Sequence, residues 1–247
     1  MQPLPIRLAQ GALAVLLLAA AAPLLAQEAA IRKALTERIP RLPPIDEVRP
    51  TPVPGLFEVR YGGTEIIYSD EKGEHIFVGG SLIETRTRTD LTEQRIEKLT
   101  AIDFAKLSLK DAITIKQGNG ARKMAVFVDP NCSFCKRFER ELASLKDVTI
   151  YNFLMPILGP DSSAKSRDIW CAKDPAKAWR AWMIDGQAAP TAPEKCDSGA
   201  LERNAALGRK HKINGTPAVV FEDGTRRAGA MPIDAVERAL AAAARKS

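Results

Sequence analysis

Cys132 and Cys135, two cysteines three residues apart, are the residues of this sequence whose type and spacing most directly indicate chemistry. They follow the apolar run 124–128 and begin an amphipathic pattern, which predicts a dithiol where a strand passes into a helix. The free main-chain N–H groups and the positive dipole end at a helix start favour a thiolate over a thiol. The pair therefore predicts thiol–disulfide exchange.

The helical spacing gives the two sulfurs different roles. Cys135 falls on one stripe with Phe138, Leu142 and Leu145, so we expect it to be the sheltered thiol. Cys132, in the first turn, is expected to be the exposed thiolate that attacks a substrate disulfide, after which Cys135 attacks the mixed disulfide and releases the substrate. Ser133 and Phe134 lie between the sulfurs and are expected to tune the redox potential.

Two other uses of a cysteine pair fit the sequence less well. A zinc site needs two further ligands, which neither Cys171 and Cys196 nor His75 and His211 supply at a suitable spacing. A cysteine protease needs a paired histidine and an orienting group, and His211 has no such context. We predict no metal and no cofactor.

Thr216 and Pro217 directly precede the apolar run 218–221. Such a dipeptide usually marks only a turn or a strand start. In combination with the upstream dithiol it predicts a cis proline that faces the sulfurs. The Thr216 backbone would then pair with an extended substrate chain.

Cys171 and Cys196 lie in a predicted helical insertion, from about residue 159 to 212. A structural disulfide between them would close a loop of about 25 residues and contribute roughly 3 to 4 kcal/mol. The alternative is a second redox centre, although nothing in the local sequence activates either thiol.

The N-terminal segment 1–26 has the pattern of a secretory signal peptide. Arg7 precedes an almost wholly apolar stretch, and cleavage is predicted near Ala26. An uncleaved membrane anchor is the alternative, but Pro23 and other residues interrupt the stretch. We therefore predict an exported, soluble protein, in a compartment that permits disulfides. The net charge of +6 is spread along the chain, which does not favour nucleic-acid binding.

Residues 27–90 are predicted to form a small N-terminal domain. A short helix leads into a proline-rich extended connector, 43–54, and then into an antiparallel meander over 57–87. A domain of this size buries little surface and leaves strand edges open. Pairing with a second copy or docking on the rest of the chain would each solve this problem.

Residues 91–120 are predicted to be a linker helix and connector. Asp90 and Glu93 form a capping-box pattern, and apolar spacing continues to about Leu107. Residues 121–247 then follow the order β-α-β and β-β-α, with the helical insertion between the two parts.

These features together resemble known proteins. The segment 129–136 (DPNCSFCK), the Thr216-Pro217 element and the closing hairpin with its helix resemble the thioredoxin superfamily. With the leader and the meander around 61–80, essentially the whole mature chain resembles the periplasmic disulfide isomerases of the DsbC/DsbG type.

The resemblance implies an α/β thioredoxin-like catalytic domain with a helical insertion, preceded by a small α+β cystatin-like dimerisation domain. It also implies a periplasmic homodimer with chaperone activity, misoxidised exported proteins as substrates, and a membrane thiol reductant of the DsbD type. The insertion of such proteins holds a structural disulfide, which Cys171 and Cys196 match.

The pair between the sulfurs departs from the family pattern. Ser133-Phe134 stands where DsbC usually has Gly-Tyr and DsbG has Pro-Tyr. The alternatives to an isomerase are therefore a DsbG-like reductase of sulfenylated cysteines, a dedicated oxidant, and a non-enzymatic chaperone in which the dithiol is incidental.

Overall fold

The structure, a computed structural model, describes residues 25–245. Most of the predicted signal peptide, residues 1–24, lies outside the described residues. The chain divides into two compact units between Leu99 and Thr100.

The first unit is an antiparallel sheet with helices. It begins with a helix that includes residues 25–38 (α1). Four strands pair in the order β1-β2-β3-β4, a small hairpin β5-β6 follows, and helix α2 closes the unit. Their bounds are β1 Ile45–Pro50, β2 Leu56–Tyr61, β3 Glu65–Asp70, β4 Ile76–Phe77, β5 Ile83–Glu84, β6 Thr89–Asp90 and α2 Leu91–Thr100.

A small apolar core holds α1 on this sheet. Ile31 and Leu35, one turn apart on α1, join Val59 and Ile67 of the central strands. The turn after β3 also approaches the helix closely, because a Cβ on Gly73 would stand 2.8 Å from the Cβ of Ala34.

The prediction of an extended connector over 43–54 was wrong in part, because residues Ile45–Pro50 form β1 and pair with β2. The prolines obscured this strand. They lie outside it or at its last residue, and β1 is at the edge of the sheet, where a missing N–H is tolerated.

Helix α2 ends at Thr100, about two turns before the predicted end near Leu107. Its start agrees with the sequence, since Glu93 N donates to Asp90 Oδ1 at 2.8 Å. Beyond Thr100, Ile102 N donates to Gly224 O at 3.0 Å, and Asp103 caps a short 3-10 turn. Contacts in the second unit therefore end the apolar helical pattern early.

The second unit contains a five-stranded sheet in the order β11-β10-β8-β9-β7, in which only β8 and β9 are parallel. A β-α-β unit and a closing β-β-α unit are both present, as predicted. The strands are β7 Ile113–Gln117, β8 Arg122–Val128, β9 Val148–Leu154, β10 Ala218–Phe221 and β11 Arg226–Ala228. The helices are α3 Ser133–Leu142, α4 Pro160–Trp170, α5 Pro175–Arg180, a π-helical turn Ala181–Asp185, α6 Gly199–Lys210 and α7 Ile233–Ala243.

Strand β7 lies within residues 91–120, which are predicted from the sequence to be a linker helix and connector. It pairs antiparallel with β9 at the edge of the sheet. Only Ile113 and Ile115 of its five residues are buried, so the alternating pattern is too short to separate a strand from a loop.

The sheet separates two apolar layers. Alternate residues of β8 point to opposite faces, with Met124 and Val126 in the layer beneath α3 and Ala125 and Phe127 in the other. The layer beneath α3 contains the predicted stripe of Cys135, Phe138, Leu142 and Leu145, which is buried as expected. The active-site helix thus rests on a closely packed core.

Candidate active site

Cys132 lies where β8 passes into α3, as the sequence predicts. It is the N-cap of α3, and its Sγ accepts a hydrogen bond from Cys135 N at 3.3 Å. Its own N–H donates to Asp129 O at 3.1 Å. An N-cap side chain normally satisfies a free amide with oxygen, and here the sulfur takes that place. Such a main-chain donor stabilises negative charge on the sulfur.

The expectation that Cys132 is exposed was wrong. Cys132 is 6% exposed and Cys135 is 2% exposed, so both residues are buried. The sulfur of Cys132 also donates to the Thr216 carbonyl at 3.3 Å. The chain segment before β10 thus lies against the sulfur that a position in the first helical turn would otherwise leave open.

The peptide bond between Thr216 and Pro217 is cis, as the sequence predicts, and the Thr216 carbonyl faces the dithiol. On the far side, Pro217 O accepts a hydrogen bond from Gly229 N at 2.8 Å. The bend is therefore anchored to the segment that follows β11, next to the sulfur.

The two thiols differ in their surroundings. Burial raises the pKa of the Cys135 thiol far above its usual value, and the neighbouring Cys132 sulfur raises it further. A hydrogen bond with the Asp129 backbone and one with Thr216 act in the opposite direction but do not outweigh burial. Cys135 is thus a thiol that needs help to lose its proton.

Asp129 organises the loop before Cys132, a role that sequence reasoning missed. Its carboxylate is fully buried and accepts four hydrogen bonds. The donors are Asn131 N at 2.7 Å, Ser162 Oγ at 2.8 Å, Ile157 N at 2.8 Å and Leu158 N at 3.0 Å. One side chain therefore fixes both the dithiol loop and the loop after β9. Three donors lie about 30 residues away in sequence, so no local pattern reveals them.

A tryptophan of the insertion supports the same loop. Trp182 Nε1 donates to Pro130 O at 2.7 Å. The Lys136 and Lys165 ammonium groups lie 4.2 and 4.9 Å from the Trp182 ring centroid, within the range of cation–π attraction. Trp182 thus lies next to two positive charges near the start of α3, Lys136 of that helix and Lys165 of the insertion.

Ser133 and Phe134, the expected redox-tuning pair, lie on the outer side of α3. The Phe134 ring is 56% exposed, and the Arg137 guanidinium lies 5.2 Å from its centroid. Within residues 25–245, main-chain groups of Cys135 and Thr216 hydrogen-bond the Cys132 sulfur, whereas the side chains of Ser133 and Phe134 do not.

Cys171 and Cys196 are joined by a disulfide bond, the bridge that the sequence predicts. Hydrogen bonds hold the same two segments together. Arg167 Nη2 donates to Pro193 O at 2.7 Å, and Trp170 Nε1 donates to Asp197 O at 3.0 Å. The bridge thus closes an already ordered loop onto α4.

Among residues 25–245, the cluster of possible metal ligands is Asp70, Glu74 and His75 in the first unit. The Asp70 carboxylate accepts the main-chain N–H groups of Lys72, Glu74 and His75, as in an ordinary Asx-type turn. Nothing about this exposed turn requires an ion. In the part of the chain that the structure describes, no helix is long and apolar enough to cross a bilayer.

Both parts of the chain match the models of known protein families. Residues 22–93 match the model of the disulfide bond isomerase protein N-terminal domain, and residues 109–244 match a thioredoxin-like domain. A probable thiol:disulfide interchange protein DsbC of Bordetella parapertussis is 48% identical over 196 residues, which cover 79% of this chain and 68% of the relative. The chain belongs to the DsbC family.

More distant DsbC relatives agree. The thiol:disulfide interchange protein DsbC of Escherichia coli K12 is 29% identical over 192 residues, which cover 75% of this chain and 77% of that protein. A solved disulfide interchange protein of Neisseria gonorrhoeae is 41% identical, with a TM-score of 0.52, and covers 56% of this chain and 99% of its own. The DsbC-type N-terminal domain and the thioredoxin-like domain predicted from the sequence are confirmed. The chain is a thiol–disulfide exchange enzyme of this family.

Proposed function

We propose that this DsbC-family chain is a protein disulfide isomerase in which Cys132 attacks and Cys135 resolves. The observation that carries the proposal is the position of the Cys132 sulfur. It caps α3, accepts the Cys135 N–H and lies 3.3 Å from the carbonyl of the cis Thr216-Pro217 bond. An attacking sulfur and a main-chain segment able to guide a substrate strand thus lie side by side.

The reaction begins when the Cys132 thiolate attacks one sulfur of a wrong disulfide. A Cys132–substrate disulfide forms, the substrate S–S bond breaks, and the second substrate sulfur leaves as a thiolate. Another substrate thiolate can then attack the bound substrate sulfur, which forms a new pairing and regenerates the Cys132 thiolate. No net oxidation or reduction occurs along this route.

Some encounters take a second route, in which Cys135 attacks Cys132 and the substrate leaves reduced. The enzyme is then left with a Cys132–Cys135 disulfide and needs an external dithiol to reduce it. We propose a membrane reductant of the DsbD type for this task, and misoxidised exported proteins as the substrates. The composition of residues 1–26 supports export to the periplasm through a cleaved signal peptide.

We also propose that the protein is a homodimer joined through its N-terminal unit. Strand β4 is at the open edge of the first sheet, where main-chain groups are free to pair. Exposed apolar side chains lie on this strand and directly after it, with Phe77 61% exposed and Ile76 and Val78 also exposed. The family of this domain and the apolar edge both favour a second copy as the occupant. An apolar surface of this kind also suits chaperone activity.

The isomerase proposal is tested with a protein whose disulfides have been scrambled. The wild-type enzyme is expected to restore the activity of this scrambled substrate protein in the presence of a small amount of reducing agent. Cys132→Ala is expected to abolish this recovery, while Cys135→Ala retains part of it, because the first route needs only one enzyme sulfur. Suppression of aggregation should survive in both variants. Recovery with Cys132→Ala, or reduction of sulfenylated cysteines without any reshuffling by the wild type, would contradict the proposal.

A further inference from the structure

Glu139 is a buried carboxyl on the active-site helix that the mechanism above does not use. It is 5% exposed and lies one turn after Cys135, on the face that also carries Leu142. Within residues 25–245 it forms no ion pair, and the charge that acts on it is that of Arg180. Burial raises its pKa, more than Arg180 and the nearby Trp179 lower it. A buried carboxyl without an ion pair is costly, so its presence calls for an explanation.

Other polar groups in the same layer lack partners. The fully buried indole N–H of Trp179 has no hydrogen bond of good geometry within the described residues, and the Glu139 carboxyl is the acceptor beside it. Asn152 is also fully buried without a side-chain partner, and alternates along β9 with Ile150 and Leu154 of this layer. The region beneath α3 therefore holds buried polar groups in an otherwise apolar core.

Cys135 faces this region and has a proton to lose. It is buried, and its thiol holds its proton more firmly than an exposed cysteine does. Attack on a mixed disulfide requires the thiolate. Resolution therefore needs a base within reach of a sulfur that bulk water does not contact freely.

Two buried carboxyls lie near Cys135, and only one is available as that base. Both oxygens of Asp129 already accept two hydrogen bonds each, so its lone pairs are occupied. Glu139 has only the poorly aligned indole of Trp179. Residues four apart on a helix have Cβ atoms about 6 Å apart, a distance that a glutamate side chain or one water molecule spans.

Within residues 25–245, few charged or titratable groups of the surrounding elements face Glu139 and Cys135. Strands β8 and β9 and helix α7 present apolar side chains and Asn152 to this layer, and α5 contributes Arg180. The π-helical turn Ala181–Asp185, which packs against α3, contributes the buried Met183, and its one acidic residue, Asp185, is exposed. The remaining titratable neighbours are Cys132 and the fully bonded Asp129.

We propose that Glu139 is the proton acceptor for Cys135 in the resolving step, an inference that rests on the proposed exchange function. The Cys135 thiol gives its proton to the Glu139 carboxylate, and its sulfur attacks Cys132. The Cys132–Cys135 bond forms, the Cys132–substrate bond breaks, and the substrate sulfur leaves as a thiolate with the electron pair. The enzyme dithiol is oxidised and the substrate disulfide is reduced.

The test is a single-turnover reaction between the reduced full chain and a peptide disulfide. Samples are quenched with acid and alkylated, so that mixed disulfide and intramolecular disulfide separate by mass. Glu139→Gln is expected to slow the conversion of the mixed disulfide into the intramolecular disulfide by about 10²-fold at pH 7, the lower range of what a positioned base contributes. Its rate should rise about tenfold per pH unit, because only solvent base remains, whereas the wild type levels off.

Glu141→Gln is the matched control, since Glu141 is on the same helix but is not buried. It should resolve at the wild-type rate. The rate at which Cys132 forms the mixed disulfide should be unchanged in both variants. If Glu139→Gln merely disturbed the structure, this first step would be slower as well. Resolution within twofold of wild type from pH 6 to 9 in Glu139→Gln would overturn the proposal.

A measurement on the wild type covers the case in which Glu139→Gln does not fold. The carboxyl of Glu139, followed by carbon-13 NMR, should titrate above its ordinary value and at different pH in the dithiol and disulfide forms. An ordinary value in both forms would refute the role of Glu139. A wild type that forms no mixed disulfide at all would instead contradict the exchange function itself.

Discussion

At the scale of single residues, the dithiol depends on a carboxylate that performs no chemistry. Asp129 satisfies three main-chain N–H groups and one hydroxyl, from the loop before α3, the loop after β9 and the first turn of α4. Because these donors are buried or partly buried, none can turn to water without a rearrangement of both loops. The hydrogen bonds of Asp129 therefore determine the geometry of the loop that positions Cys132.

Asp129→Ala should lower the free energy of unfolding by on the order of 3 to 5 kcal/mol, since several donors lose their acceptor at once. Urea unfolding measures the change. Asp161→Ala is the control, because this exposed carboxylate also binds Asn131 but does so in water, and it should leave stability nearly unchanged. Equal losses in the two variants would show that burial of Asp129 is not the cause.

Glu139 should affect stability in the sense opposite to that of a typical paired carboxylate. Its pKa is higher in the folded than in the unfolded protein, so the folded state holds this proton more tightly. Stability is therefore lost as pH rises from the unfolded pKa to the folded pKa. Glu139→Gln should match the wild type below about pH 4 and be more stable at pH 8. Urea unfolding at both pH values tests this, and a variant less stable at pH 8 contradicts it.

Sequence alone locates the sulfurs and the cis proline because their signals are local. Asp129 was missed because its function comes from partners about 30 residues away. Glu139 was missed because a glutamate on an amphipathic helix is ordinarily assigned to the solvent face, although its spacing of four from Cys135 places it on the buried stripe. The exposure of Cys132 was misjudged because Thr216, 84 residues later, lies against it.

At the scale of elements, a disulfide and hydrogen bonds both hold the loop around residues 193–197 of the insertion to α4. Replacing Cys171 and Cys196 together with Ala should lower the free energy of unfolding by about 3 kcal/mol, the entropic value of a loop of this length. Isomerase activity at 25 °C should persist, because the bridge is not a reacting disulfide. Loss of exchange activity in a folded double variant would instead identify a second redox centre.

Helices and strands were predictable where the apolar periodicity extends over many residues. They were not predictable where contacts with other elements determine their bounds. The strand and helix that carry the dithiol follow from the five-residue apolar run 124–128 and a full amphipathic pattern. Strands β1 and β7 are edge strands with few buried residues, so their sequences contain little of the signal. Helix α2 ends just before Ile102, which pairs with Gly224. Local helix propensity cannot predict a contact between residues so far apart in the sequence.

At the scale of the whole molecule, the proposed dimer forms through the β4 edge of the first sheet. Phe77→Glu should weaken the proposed dimer at least 100-fold, as expected for an aromatic residue at the centre of an interface. Sedimentation at micromolar concentrations should then show monomers. Val53→Glu, a similar change at an exposed valine in the turn after β1, should leave the dimer intact. A wild type that sediments as a monomer would contradict the interface.

Removal of the first unit tests the independence of the second. Residues from Thr100 onward include both apolar layers of the five-stranded sheet. This piece should fold as a monomer and keep thiol–disulfide exchange with small disulfides, but lose isomerase efficiency on whole proteins. Failure to fold would show that the division between Leu99 and Thr100 is not a domain boundary.

The hydrogen bond from Trp182 to Pro130 also provides an optical reporter of the redox state. Oxidation pulls the Cys132 and Cys135 sulfurs together. The indole of Trp182 is bonded to Pro130, two residues before Cys132, and two ammonium groups lie 4.2 and 4.9 Å from its ring centroid, so a shift of the loop changes the charge that the indole experiences. Emission from Trp182 should therefore change between the dithiol and disulfide forms without any label. Oxidation and reduction of the enzyme could then be followed by the intrinsic tryptophan fluorescence.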